Sequence, residues 1–184
     1  MRFIDSAQIV LKENTEFELI EYKFDGNPGT PHKITLKLIR GGLRTITGSV
    51  GEKDHDNYQL ITPDTYVNIQ GTTYTCVVEK SKTICGVSDG GITLTNLVDS
   101  VLLGLGGDYD YAEVESRQSP HIPLLFAPDV LNQITINEGN NQPTITPQDG
   151  TISTSQRTPI SVTPLTNGVS FPTPQTIRVI PYKK

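Results

Sequence analysis

The sequence predicts a mainly β protein: a small antiparallel sandwich or barrel with one short helix, followed by an extended C-terminal arm rich in proline and threonine. Three observations support this. Short apolar runs over residues 1–118 are separated by turn-forming residues at a roughly 8–12-residue spacing. Ten of the thirteen prolines lie in residues 119–184, and that stretch carries only seven charged residues. We therefore divide the chain into a β-rich core domain, residues 1–118, and an extended arm, residues 119–184.

The strands are predicted from alternation of apolar and polar residues. Ile34, Leu36 and Leu38 alternate with polar residues, and Gly41-Gly42 offers a tight turn, so residues 33–50 are predicted to form a hairpin. Residues 17–24 are predicted to form a strand with a bulge near Leu19-Ile20. Further strands are predicted at residues 9–12, 57–62, 66–70, 73–79 and 108–115, the last with an acidic outer face.

One helix is predicted within this β-rich background. Thr95 is a good N-cap, glycines follow from position 104, and the apolar face between them comprises Leu97, Val98, Val101 and Leu102. A second short helix is predicted to begin at Pro128-Asp129 and to run through Leu131.

The two cysteines lie in a predicted hairpin. If Lys80-Ser81 forms a two-residue loop, Glu79 pairs with Lys82 and Cys76 faces Cys85. The opposite charges of Glu79 and Lys82 favour this register, although Lys-Ser lacks the Asn-Gly signature of a tight turn. Two interpretations stay open: two buried free thiols, which a protein made in a cytosol favours, or a disulfide between Cys76 and Cys85.

Composition and charge exclude several classes of function. A net charge of −5 and an isoelectric point near 5.1 argue against binding to nucleic acid. The apolar runs fall short of the roughly 20 residues that a membrane-spanning helix needs, and the first residues lack the pattern of a signal peptide. We therefore expect a protein made in a cytoplasm, with no nucleic acid and no membrane among its partners.

Motifs for catalysis, cofactor binding and metal binding are absent from the sequence, so we expect neither an enzyme nor a cofactor. Asp54-His55-Asp56 lacks the glycine and the trailing glutamate of a calcium loop, and the serines lack a Gly-x-Ser-x-Gly elbow. Two alternatives stay open. A hydrolase would use the carboxylates of Asp108, Asp110, Glu113 or Glu115. A binding module such as an adhesin or glycan-recognition domain would use Tyr58, Tyr109 and Tyr111.

The arm is predicted to bind another protein through two apolar runs. The first comprises Ile122, Leu124, Leu125 and Phe126, and the second comprises Ile177, Val179 and Ile180. Ordering a backbone costs about 1–2 kcal/mol per residue, and an extended arm has little core of its own to offset that cost. We therefore expect the arm to lie on another subunit, where an extended segment adds a strand to a sheet edge. For the first run, packing on its own core is an equal alternative.

A β domain joined to a Pro/Thr-rich arm, with segments such as Thr144-Ile-Thr-Pro147 and Phe171-Pro-Thr-Pro174, resembles the small structural virion proteins of tailed bacteriophages. The resemblance covers the whole chain. It implies a non-enzymatic component of the tail, baseplate or neck, or secondly a capsid-associated protein. Such a protein localises to the virion and uses its arm to dock on other structural subunits of the same particle, in many copies.

Overall fold

The computed structural model describes residues 1–134, apart from positions 28, 54 and 81, together with the backbone of Gln175–Arg178. In these ranges the predicted mainly β fold is confirmed, and ten strands form one curled sheet. The strands are β1 (Gln8–Leu11), β2 (Glu16–Lys23), β3 (Lys33–Ile46), β4 (Tyr58–Ile61), β5 (Tyr66–Glu79), β6 (Lys82–Thr95), β7 (Ser100–Gly104), β8 (Tyr111–Val114), β9 (Ile122–Leu124) and β10 (Gln175–Arg178). The helices are α1 (Ser49–Lys53) and α2 (Asp129–Asn132), and a 3-10 turn covers His55–Asn57.

The sheet curls where β3 and β5, two of its three long strands, diverge. The strand order is β10-β2-β3-β4-β5-β6-β8-β9, with β1 beside β3 and β7 beside β6. β3 and β5 pair directly between Gly41 and Ile46 on one strand and Thr73 and Val78 on the other. Over their other halves β4 lies between them, parallel to β3 and antiparallel to β5. One face of the curled sheet therefore encloses the main apolar core.

β3 is continuous where the sequence predicts a hairpin, so that prediction is wrong. Gly41 has a φ of +84°, which bends the strand without reversing it, and a side chain at this position would collide with Thr15. The Gly42 N–H donates to Thr15 Oγ1 at 3.0 Å. Before the bend β3 pairs with β2 and β4, and after it with β1 and β5. Gly41 and Gly42 thus allow β3 to bend where its neighbouring strands change.

The helix predicted after Thr95 is also wrong, because a tight turn leads there into β7, which pairs antiparallel with β6. Asn96 closes the turn: its Oδ1 accepts hydrogen bonds from the N–H groups of Val98 and Asp99, at 2.9 and 3.1 Å. An asparagine side chain that binds nearby backbone groups competes with helix formation. Leu97 and Val98 are consequently 75% and 53% exposed instead of facing a core.

Other predicted elements are confirmed. The register of β2 against β3 shifts between Leu19 and Glu21, where the sequence predicts a bulge. β4 and β8 fall within their predicted segments, and β1 and α2 match theirs to within one residue at each end. The two strands predicted over residues 66–79 form the single strand β5, which has an irregular register between Gln70 and Thr73.

Several polar groups inside the main core make hydrogen bonds with one another. The hydroxyls of Tyr58 and Tyr74 lie 2.9 Å apart, and burial raises the pKa of Tyr58 to about 12. Asp5 is also buried, and its Oδ1 accepts hydrogen bonds from the Ala7 N–H and the Tyr22 hydroxyl, each at 3.2 Å. Burial raises the pKa of Asp5, because a desolvated carboxylate is disfavoured.

A second, smaller apolar cluster joins α2 to the β5–β6 hairpin. Its buried members are Val77, Ile84, Leu131 and Ile134. Gly86 leaves room for this contact, since a Cβ there would lie 2.6 Å from the Tyr111 ring and 2.8 Å from Leu131. Residues 119–134, which the sequence assigns to the arm, thus pack in part on the β domain of the same chain. The division of the chain at residue 118 stays a prediction.

Candidate partner-binding surface

Three exposed apolar side chains follow one another closely after β8. Ile122, Leu125 and Phe126 are 48%, 77% and 83% exposed. Side chains of this type are usually buried, and neighbouring exposed apolar groups mark binding sites on folded proteins. We call these three residues the apolar surface. Leu124, the fourth residue predicted here, is half-buried and lies opposite Tyr111 of β8.

The strand that carries Ile122 is poorly suited to strand addition. β9 pairs with β8, and it ends the strand order of the described sheet. Pro123 stands at its centre, opposite Ala112. Proline has no N–H to donate, and natural sheets use it to protect exposed edges. A partner would therefore bind here through side chains of the apolar surface and not through backbone pairing.

A buried histidine anchors the segment that presents this surface. His121 donates from Nδ1 to the carboxylate of Asp99, and its backbone N–H donates to the same carboxylate. On its other side, His121 Nε2 lies 2.8 Å from Thr65 Oγ1. Because buried polar groups are costly to leave unpaired, these bonds fix the chain immediately before Ile122.

Arg117 and Asn96 fix the connection between β8 and β9. The Arg117 side chain donates to the Pro63 carbonyl and to the Tyr66 hydroxyl, both at 2.9 Å, and its guanidinium lies 4.8 Å from the centre of the Tyr66 ring. The Asn96 amide donates to the Ser119 carbonyl at 2.7 Å. The exposed turn of Leu97 and Val98 is therefore held against the segment that precedes β9.

An ion pair borders the apolar surface. Lys82 Nζ lies 2.6 Å from Glu113 Oε2, and Glu113 is the register partner of Ile122. Apolar side chains beside partly exposed charged groups are typical of protein–protein interfaces. The arrangement is suited to binding a protein partner.

The carboxylates and tyrosines considered in the sequence are not assembled into a site. Asp108, Asp110 and Glu115 are exposed, whereas Glu113 is paired with Lys82. Tyr58 is only 2% exposed, so it does not share an outer face with the other tyrosines. Among the described residues, no three His, Cys, Asp or Glu side chains are grouped to hold a metal ion.

Cys76 and Cys85 face each other across the β5–β6 hairpin. The predicted register is confirmed, since Cys76 is opposite Cys85 and Glu79 is opposite Lys82. The two Cα atoms lie 4.2 Å apart, a disulfide joins the side chains, and both residues are fully buried.

The second predicted binding run is described only in part. Ile177 lies in β10, which pairs antiparallel with β2 and places this residue opposite Phe17. Val179 and Ile180 lie outside the described residues.

Sequence reasoning missed the network of His121, Asp99 and Thr65. The partners of His121 are 22 and 56 positions away, so no local spacing connects the three residues. The one sequence signal was local: Pro120 and the apolar residues after His121 are compatible with a buried histidine.

Comparison with known proteins identifies the family. The FecR protein family model matches residues 1–93, just over half of the 184 residues, and this range spans β1–β5 and most of β6. The chain belongs to the FecR family. Members of this family are regulatory proteins and not enzymes, so this protein is not an enzyme.

One solved structure has the same fold at low sequence identity. One crystal structure of a candidate anti-sigma factor from Parabacteroides distasonis ATCC 8503 has a TM-score of 0.51 and 11% identity, over 66% of this chain and 52% of that one. This chain thus matches about half the length of that protein. A second crystal structure of a candidate anti-sigma factor from the same organism gives a TM-score of 0.49 and 10% identity, over the same shares. No curated protein sequence matches the chain.

The resemblance to phage virion proteins is wrong, and the family match overturns it. The predicted tail, baseplate, neck and capsid roles, the virion localisation and the partnership with other virion subunits are therefore wrong as well. The adhesin or glycan-binding alternative is not supported either. The error arose because a Pro/Thr-rich tail is a feature of composition, whereas the family is recognised in residues 1–93.

None of the described helices is long and apolar enough to cross a membrane.

Proposed function

We propose that this chain is a regulatory module of a FecR-like signalling system and that it acts by binding partner proteins that control a sigma factor. The single observation that carries the proposal is the family match over residues 1–93, which supply most strands of the main core. FecR-like anti-sigma factors act in membrane signalling with sigma-factor and receptor partners. The fold shared with a candidate anti-sigma factor agrees with this role.

The apolar surface is the proposed contact with such a partner. Phe126 and Leu125 are the most exposed large apolar side chains of the described residues, and aromatic anchors commonly dominate binding energy at interfaces. The surface lies beyond residue 93, where the family match ends. In this proposal the family core is the scaffold, and the elements after it give the module its partner.

The cysteine pair supports a setting outside the cytoplasm. Disulfides persist in oxidising compartments such as the bacterial periplasm and are rare in reducing cytosol. A buried pair that the β5–β6 register brings face to face is well placed to oxidise there. The proposed setting replaces the expectation of a cytosolic protein with two free thiols.

Removal of the coding segment in the cell of origin tests the proposed function. The expected result is altered transcription confined to the promoters of one alternative sigma factor, restored by the wild-type chain. Unchanged transcription at all such promoters would contradict the proposal.

Cross-linking tests the contact surface. A photoreactive amino acid in place of Phe126 should capture a component of the same sigma-factor system, identified by mass spectrometry. The matched control is Leu105, which is 72% exposed, follows β7 and is not one of the three residues of the apolar surface. Capture of that component equally from both positions would count against the surface.

A further inference from the structure

The elements after the family-matched part carry most of the negative charge. Residues 1–93 contain ten basic and twelve acidic residues, a net charge of −2 with histidine counted as neutral. Residues 94–134 contain one basic and six acidic residues, a net charge of −5 that equals the charge of the whole chain. The apolar surface lies in this second range. A partner that reaches the surface therefore meets a negative electrostatic field.

The pairing of β8 with β9 places the apolar surface and α2 on one face of the sheet. Ile122 of β9 is opposite Glu113 of β8. Leu124 is in the same way opposite Tyr111, and opposite side chains share a face of a sheet. Tyr111 packs against the second apolar cluster, which includes Leu131 of α2. The face that carries Ile122 is therefore the face on which α2 lies.

Exposed carboxylates flank the strand and the helix of this face. They lie just before β8, just after it and at the first residue of α2: Asp108, Asp110, Glu115 and Asp129. We call these four side chains the acidic border. None of them makes an ion pair with another described residue. Lys82 pairs with Glu113, and Arg117 bonds to neutral groups, so neither base balances the acidic border.

Charge discriminates between the candidate occupants of the apolar surface. In a symmetric dimer the same surface of both copies meets, which would bring two acidic borders together. Like charges that face each other across an interface are costly, so a second copy of this chain is a poor occupant. A nucleic acid is repelled for the same reason. The complementary chemistry is an apolar segment that also carries lysine or arginine.

We propose that the apolar surface binds a partner segment in which large apolar side chains lie beside lysine or arginine residues. The proposal rests on the function proposed above and specifies the chemistry of its partner. Apolar side chains of the segment pack on Leu125 and Phe126, and its basic side chains lie against the acidic border. Because the acidic border is exposed, its attraction for the partner weakens as salt rises.

Selection of short random peptides on the immobilised full-length chain tests the proposal. Peptides are kept if the wild type retains them and the chain with Leu125→Ser and Phe126→Ser does not, so that only peptides bound at the apolar surface remain. We expect the kept peptides to be enriched, relative to the library, in lysine or arginine beside large apolar residues. Failure to obtain such peptides, or a set without this excess of basic residues, would overturn the proposal.

Variants that remove charge test the acidic border directly. One variant combines Asp108→Asn, Asp110→Asn and Glu115→Gln. The matched control removes three exposed charges from residues 1–93: Glu13→Gln, Glu52→Gln and Asp56→Asn. Fluorescence anisotropy with the tightest selected peptide should show about tenfold weaker binding to the first variant than to the control, since each exposed charge contributes a few-fold in affinity. Equal affinity for the two variants would overturn the proposal.

Cross-linking from a photoreactive residue at position 126 identifies the natural occupant. In cells, the partner peptide joined to this position should contain lysine or arginine beside apolar residues, and an acidic peptide would overturn the proposal while leaving the regulatory function standing. In the purified protein, a cross-link to a second copy or to residues 135–184 would show that the chain covers its own surface, which would also overturn it. Failure of the regulatory function itself is detected separately, by unchanged transcription.

Discussion

Reduction of the cysteine pair should lower the stability of the β domain by a predictable amount. Cys76 and Cys85 are nine positions apart, and closing a loop of this length reduces the entropy of the unfolded chain by an amount worth about 2.6 kcal/mol at 25 °C. With a urea dependence of about 1–3 kcal/mol per molar, the unfolding midpoint should fall by about 1 M or more when reductant is present. The assay is equilibrium urea unfolding with and without reductant.

The control for this experiment is the variant with both Cys76→Ala and Cys85→Ala. Its midpoint should be the same with and without reductant, which separates the bond from any effect of the reagent. A thiol count on the denatured, non-reduced wild type accompanies the melts. Two free thiols, or a wild-type midpoint that reductant does not move, would refute the bond and remove the support it gives to an oxidising compartment.

Three further predictions concern packing and charge. Gly86→Ala should lower the free energy of unfolding by about 1–3 kcal/mol, because the added methyl group would collide with the Tyr111 ring and with Leu131 of α2. The control is Gly29→Ala, which has nothing within 4 Å and should leave the urea unfolding curve unchanged. Equal unfolding curves for the two variants would contradict the contact between Gly86 and α2. Burial raises the pKa of Asp5 above its unfolded value, so the contribution of this carboxyl to stability should fall as the pH rises past about 4. The free energy of unfolding of the wild type relative to Asp5→Asn should therefore decrease with rising pH, and a difference that does not change with pH would argue against this assignment. Asp99→Ala should lower the free energy of unfolding by about 1–3 kcal/mol, because His121 loses its hydrogen-bond acceptor. The backbone amides of residues 119–124 should also exchange faster with solvent. Unaltered exchange would show that His121 does not anchor this segment.

Local chemistry made parts of the fold predictable. The β5–β6 register followed from the opposite charges of Glu79 and Lys82, and the bulge in β2 followed from the broken alternation near Leu19. Both features depend on residues that are neighbours along the chain or directly across a hairpin. Alternation and cross-strand charge pairs are sufficient for such features.

Features that depend on distant partners could not be predicted. Gly41-Gly42 suits a turn as well as a bend, and the choice is made by Thr15, 27 positions before Gly42. The apolar residues after Thr95 suit a helix, but the side chain of Asn96 closes a turn first. For the candidate surface, the sequence identified its apolar residues, whereas the buried His121 that positions them is visible only in three dimensions.

We propose that this FecR-family protein regulates transcription through a protein contact at the apolar surface. The most direct measurement is transcription from the sigma-factor-dependent promoters in cells whose chromosomal copy is replaced by a chain with Leu125→Asp and Phe126→Asp, with Leu105→Asp as the matched control. We predict that the double variant is produced at the normal level yet fails to regulate these promoters, while the control regulates them as the wild type does. Normal regulation by the double variant would show that the apolar surface is not the contact through which the protein regulates transcription.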